Sequence, residues 1–126
     1  MATLQAATTS TGALVTDAQA VRQLCENYCF GTLNWEVDQD GELTIWGFDD
    51  FEVYEAQEDG LPDYEGGVMT QEFLRTLADY LQPDEELDIQ TAGFTKCRFP
   101  VLATRYVIRE GEVMYADLSA PEPIDE

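Results

Sequence analysis

The sequence predicts an α+β domain: a mostly antiparallel sheet of β-hairpins carrying two helices, in the order α-β-β-β-α-β-β-β. Three observations lead there. Apolar residues recur at helical spacing around positions 17–28 and 70–81. Elsewhere they alternate with polar residues, and the dipeptides Asp40-Gly41 and Glu110-Gly111 punctuate the alternating runs. A chain of 126 residues forms one domain and buries roughly two-thirds of its unfolded surface, enough for a core without metal or disulfide staples. The domain is expected over 16–119. A flexible Ala/Thr/Ser-rich lead-in at 1–15 would precede it, and an acidic tail at 120–126, interrupted by Pro121 and Pro123, would follow.

The first helix is expected from Asp17 to Tyr28. Thr16 and Gln19 read as a capping box, Val21, Leu24, Cys25 and Tyr28 form an apolar stripe, and Gly31 supplies the stop. A hairpin comes next, since Leu33, Trp35 and Val37 alternate with polar residues, as do Leu43 and Ile45. A two-residue Asp-Gly loop would set Val37 opposite Thr44 and mix the faces. A three-residue loop with Gly41 in the left-handed region pairs Val37 with Leu43 and Trp35 with Ile45, so hydrophobic consistency selects it.

The other hairpin face then carries Glu36, Asp38, Glu42 and Trp46. A third strand at 51–55 would bury Phe51 and Val53 and turn Glu52 and Tyr54 outward. If it neighbours the hairpin, one sheet face displays carboxylates around two aromatics; alternatively a helix covers Trp46 or Tyr54 and that face is core as well. Residues 56–69 read as a long acidic loop containing Glu58, Asp59 and Asp63. The second helix is expected to start at a Thr70 N-cap, with Glu72 in its first turn, Phe73, Leu74, Leu77 and Leu81 on its apolar face, and Pro83 marking its end. Strands at 87–91, 101–109 and 112–118 complete the pattern. A two-residue loop at Glu110-Gly111 sets Arg109 opposite Glu112 and Tyr106 opposite Tyr115; a three-residue loop is the alternative.

Charge is the most informative feature. Twenty-six acids face six cations, for a net −20. Nucleic acid and anionic membranes repel such a surface, since binding them needs Lys and Arg to displace counterions. The charge is also polarised. Fourteen acids and no cation lie between Arg22 and Arg75, whereas residues 75–115 hold five cations against seven acids. Clustering of this kind points to a binding surface more than to uniform decoration. A single lysine against five arginines points the other way, to adaptation to a salt-rich cytoplasm.

Much chemistry is excluded. The chain has no histidine, which removes imidazole bases, Ser-His and Cys-His pairs and histidine metal triads. Gly66-Gly67 lacks the Lys-Ser/Thr of a phosphate loop. Cys25, Cys29 and Cys97 are an odd set without a Cys-x-x-Cys pair, read as reduced buried hydrophobes rather than zinc ligands. Asp38-Gln39-Asp40-Gly41 opens like a calcium loop but lacks the closing Glu, and a turn explains it. Arg105, Arg109 and the Lys96-x-Arg98 pair are expected to neutralise nearby acids.

No cofactor is therefore expected, and no enzymatic activity. No run approaches the ~20 apolar residues of a membrane span, and residues 1–16 lack a signal-like core, so a cytoplasmic protein is expected. The reading from sequence is a small acidic protein that binds and inhibits a basic, nucleic-acid-binding partner. In charge and size, though not in sequence, it parallels virus-encoded factors that block restriction or CRISPR nucleases by mimicking DNA. The residues expected to bind are Glu36, Asp38, Glu42, Trp46, Glu52 and Tyr54, with Asp49, Asp50, Glu58, Asp59 and Asp63 in adjoining loops. The alternative is a haloadapted accessory domain.

Overall fold

The structure, a computed structural model, describes residues 5–94 and 100–117. It is a single α+β domain with two helices and antiparallel strands. The hairpin forms as its hydrophobic register dictates. Strands β4 (Asn34–Val37) and β5 (Glu42–Gly47) pair Val37 with Leu43 and Trp35 with Ile45, and Gly41 takes φ +82°. At the other end of the sheet, β9 (Pro100–Arg109) and β10 (Glu112–Asp117) pair Arg109 with Glu112 and Tyr106 with Tyr115. Gly111 turns the two-residue loop at φ +72°.

The first departure from expectation is the largest. Residues expected to be a flexible lead-in form β1 (Gln5–Ser10) and β2 (Ala13–Leu14). The strand β1 lies between β5 and β8 (Leu87–Phe94), antiparallel to both, giving the order β10-β9-β8-β1-β5-β2 with β4 on the free side of β5. The sequence hides this strand because hydrogen bonding, not apolar alternation, secures it. Thr8, 2% exposed, donates its hydroxyl to the Asp49 carbonyl at 2.7 Å. Its oxygen lies 2.8 Å from Thr91 Oγ1; with its own proton committed, Thr8 accepts from Thr91. Pairing on both sides also lengthens β8 beyond the expected 87–91. Met1–Leu4, Cys97, the Lys96-x-Arg98 pair and the expected tail fall outside the described residues.

With β1 beside β5, the expected third hairpin strand has no place there. Residues 51–53 belong to no strand, with Phe51 and Val53 buried. The strand that follows, β6 (Tyr54–Ala56), joins β3 (Tyr28–Cys29) and β7 (Pro62–Asp63) in a separate small sheet. The expected 56–69 loop is thus partly a hairpin, pairing Glu55 with Asp63. Glu52 and Tyr54 leave the hairpin's acidic face.

Helix α1 (Ala18–Glu26) is capped by Asp17, not Thr16: the Asp17 carboxylate accepts from Ala20 N. It stops at Asn27 because Tyr28 and Cys29 pair with β6, so Cys25 and Cys29 do not share a helix face. Helix α2 (Thr70–Ala78) starts one residue earlier than expected. Met69 occupies the cap, and the Thr70 hydroxyl instead accepts from Val53 N at 3.1 Å. Leu81, past the helix end, is buried and bridges to Val15.

Both helices pack on one face of the large sheet. Val21 and Cys25 of α1 and Phe73, Leu74 and Leu77 of α2 share a core with Leu43, Ile45, Ile89 and Ile108. Edge-on rings of Tyr28 and Phe30 flank Phe73 at 5.3 and 5.1 Å. The opposite sheet face is open, with Glu36, Glu42, Trp46, Thr9 and Gln90 exposed.

Two outcomes follow from the placement of β1. Deleting residues 1–10 removes the strand joining β5 to β8, and the far-UV circular dichroism of the truncated chain should lose its cooperative thermal transition. A trimmed chain that melts like the full one refutes the placement. The substitution Thr8→Val, which strands a buried carbonyl and hydroxyl, should cost about 1–3 kcal/mol in urea unfolding.

Candidate acidic interaction surface

The carboxylates singled out in the sequence separate into three places. Glu36 and Glu42 stay on the outer face of the β4–β5 hairpin, with Trp46 41% exposed there. Asp38 belongs to the turn rather than to that face: its Oδ1 accepts from Asp40 N and Glu42 N, each at 2.9 Å. Arg22 donates to the Val37 and Asp38 carbonyls at 3.0 and 3.2 Å.

Asp49, Asp50, Glu52 and Tyr54 form the second group, in and after the β5–β6 connection. Asp49 is held from both sides. Its Oδ1 accepts from Asp50 N at 2.8 Å and its Oδ2 from the Thr32 hydroxyl at 3.0 Å. Its Oδ2 also lies 3.1 Å from where a Cβ on Gly31 would stand, and Gly31 has φ +66°, so both space and backbone conformation favour glycine there. Asp50 accepts from Phe51 N at 2.8 Å. Glu52 accepts from the Tyr54 hydroxyl at 3.0 Å, and the Tyr54 ring meets Tyr64 edge-on at 4.9 Å.

Glu58, Asp59 and Asp63 lie along the β6–β7 hairpin. Asp59 accepts from Leu61 N, and Asp63 from Glu65 N and Gly66 N. Asp59 and Asp63 thus shape turns, and Glu58 lines a different cleft with Glu26 and Glu55.

Asp50 and Glu52 separate two clefts. One of about 480 Å³ lies between them, Glu72 of α2, and Tyr106, Tyr115 and Asp117 of β9 and β10. The other, of about 150 Å³, is bounded by Asp49, Asp50, Glu52, Tyr54 and Tyr64. Among the described residues, no Lys or Arg lines either cleft. Phe48, adjoining Asp49, is 91% exposed, and Tyr64 is 69% exposed.

Burial raises the Asp50 carboxyl above the usual aspartate range, and the neighbouring charges of Glu52 and Asp49 push it further, against the opposing pull of Phe51 N–H. Burial also raises the Tyr106 and Tyr115 phenols, and the Asp50 charge reaches both across the larger cleft. Both therefore remain protonated donors at neutral pH. The site is a patch of like charge held by backbone bonds and walled by tyrosines, suited to ammonium and guanidinium groups.

The sequence pointed to Asp49, Asp50, Glu52 and Tyr54 but not to their company. Glu72, Tyr64, Tyr106 and Tyr115 come from α2, the β7–α2 connection and the C-terminal hairpin, and no local spacing links them. The exposed Phe48, between Gly47 and Asp49, was the local signal available. As for metals, no three His, Cys, Asp or Glu converge among the described residues. The Cys25 thiol is pushed up to about 12, by burial first and the Glu26 charge second, so it is inert as a nucleophile.

Two carboxyls should respond to pH with opposite sign. Asp50 has a raised folded value, so its ionisation opposes folding as pH rises from the ordinary value of 3.8 through the raised one. Asp50→Asn should therefore stabilise the fold at pH 7 by about 0.5 kcal/mol, a solvent-screened amount, with no gain at pH 3. Asp88 is held low by the Arg105 guanidinium. Its contribution is present above 3.8 and is lost as pH falls through the depressed value, so Asp88→Asn should destabilise at pH 7. Urea midpoints at the two pH values check both signs. Comparison with protein-family models, curated proteins and solved structures returns no match to this chain.

Proposed function

We propose that this is a non-enzymatic acidic interaction protein that binds and inhibits a basic, nucleic-acid-binding partner by presenting carboxylates in place of a phosphate backbone. One observation carries the reading: the Asp50–Glu52 ridge divides two carboxylate- and tyrosine-lined clefts that no described cation lines. The described arginines lie elsewhere or are engaged. Arg105 binds Asp88, Arg109 binds Glu86, and Arg22 donates to carbonyls at the hairpin turn.

In such a complex, the net charge of −20 steers a basic surface inward, and Glu36, Glu42, Glu58 and Asp59 act as rim charges that raise the association rate. Phe48, Tyr54, Tyr64 and Trp46 supply the apolar contacts that slow dissociation. Arginine is the partner residue best matched to the clefts, because its planar guanidinium both pairs with carboxylates and stacks on rings. An anti-defence role against restriction or CRISPR nucleases rests on charge and size alone.

A second reading is kept because one lysine stands against five arginines: a haloadapted cytoplasmic accessory domain whose acids hold hydration in concentrated salt. Circular dichroism separates the two. An interaction protein stays folded in dilute buffer, whereas a haloadapted domain unfolds there and refolds in molar salt.

The binding test is biolayer interferometry against a panel of basic nucleic-acid-binding proteins in dilute buffer. Binding should compete with duplex DNA and weaken as salt rises. The pair Asp50→Asn and Glu52→Gln should weaken it at least ~tenfold through faster dissociation, about 1.4 kcal/mol. Glu36→Gln with Glu42→Gln should act mainly on the association rate. A folded chain that binds no member of the panel overturns the reading.

A further inference from the structure

Among the described residues the large sheet ends at β2, β4 and β10, and two of these edges are closed by other groups. At β2, two residues long, Gln82 N donates to the Leu14 carbonyl at 3.0 Å, and the Glu85 carboxylate accepts from Leu14 N at 2.6 Å. At β4, four residues long, the Arg22 guanidinium donates to the Val37 and Asp38 carbonyls. The strand β10 is six residues long and mostly exposed. Among the described residues it pairs with β9 alone.

The two-residue loop closes on the pair Arg109 and Glu112, so the hydrogen bonds to β9 fall at Glu112, Met114 and Ala116. Val113 and Tyr115 therefore turn their backbone N–H and C=O groups outward. An open edge templates extended chains, and proteins guard theirs with lysine, proline or bulges. β10 has neither Lys nor Pro, and its register with β9 is unbroken. What it carries is an acid at each end, Glu112 and Asp117, around the uncharged run Val113-Met114-Tyr115-Ala116. The Arg109 guanidinium, across from Glu112, is taken by Glu86 at 2.7 Å. On the inner side, Tyr115 and Asp117 border the larger cleft with Asp50, Glu52 and Glu72.

We infer that β10 is a docking edge for an extended segment of the basic partner, which adds a further antiparallel strand with one cation opposite Glu112, another opposite Asp117 and uncharged residues between. The inference rests on the proposed function, since it says how that partner engages the chain. Charge selects this occupant. A second copy pairing in full antiparallel register would set Glu112 against Asp117 at both ends, between two −20 molecules. A neutral strand offers those acids nothing. A basic strand brings a counter-charge to each end, and its cation opposite Asp117 also borders the larger cleft. Backbone pairing adds what carboxylate clefts alone do not supply, a fixed direction and register for the bound segment.

The probe is the blocked peptide acetyl-Arg-Thr-Val-Thr-Val-Arg-amide, added to the whole chain in dilute buffer and followed by amide NMR and hydrogen exchange. The Val113 and Tyr115 amides should shift and exchange more slowly, while those of β4 stay unchanged. In the inferred register the peptide's valines bond to β10 and its threonines face away. N-methylating both valines, which removes donors without altering charge, should weaken binding at least ~tenfold. N-methylating both threonines should leave it nearly intact, and replacing the arginines by glutamates should abolish it. Equal binding of the two methylated peptides, or shifts confined to Asp50, Glu52 and Glu72, overturns the inference and leaves the reading of a basic partner standing. Absence of peptide binding also overturns the inference; the reading itself falls only if the panel of basic proteins goes unbound as well.

Discussion

Strand β1 carries hydrogen bonds on both edges, to β5 of the N-terminal half and to β8 of the C-terminal half. Without it the β4–β5 hairpin and the β8–β9–β10 meander would be two small sheets with exposed edges. The buried Thr8 hydroxyl adds a second tie, reaching Thr91 on β8 and the carbonyl of Asp49. Six residues of modest hydrophobicity thus set the position of every other strand in the large sheet. They also fix the start of the acidic β5–β6 connection against the sheet.

The distribution of charge follows from that arrangement. Because β1 places β5 near the C-terminal hairpin, Asp50 and Glu52 come to face Tyr106, Tyr115 and Asp117 across one cleft. The chain's described arginines do not reach it. Arg105 and Arg109 are used on the opposite sheet face, where they balance Asp88 and Glu86. The result is a molecule with an electrostatically relaxed region on β8 and β9 and a loaded remainder, which includes Glu36 and Glu42 on the same sheet face. Asp88 and Asp50 mark the two: the first is held ionised by a bidentate partner, the second is crowded by like charge and partial burial.

How much of this the sequence disclosed depended on whether burial left a period in the residues. The β4–β5 register was legible because Val37, Leu43 and Ile45 must share a face, and one slipped residue would expose them all. The C-terminal hairpin was legible in its strands but not in its register, since two- and three-residue loops at Glu110-Gly111 both stayed open. The strand β1 was not, since Gln5-Ala6-Ala7-Thr8-Thr9-Ser10 has no apolar alternation and is held by pairing and hydroxyl bonds. The site was half legible. Asp49, Asp50 and Glu52 stood out as charge, but the shared acidic face depended on residues 51–55 neighbouring the hairpin, and they do not, so Glu52 and Tyr54 lie on another surface. Of the tyrosines that wall the clefts only Tyr54 was named; Tyr64, Tyr106 and Tyr115 were invisible as site residues because tertiary packing alone brings the β7–α2 connection, β9 and β10 to the acids.

The placement of β1 underlies both the cleft and the charge-balanced region of β8 and β9, and amide hydrogen exchange probes it residue by residue. The account predicts that the amides of residues 6–10 that bond across the sheet exchange as slowly as those of β8, through global unfolding. Exchange of these amides at the rate of an unstructured terminus, while β8 and β9 stay protected, would contradict it.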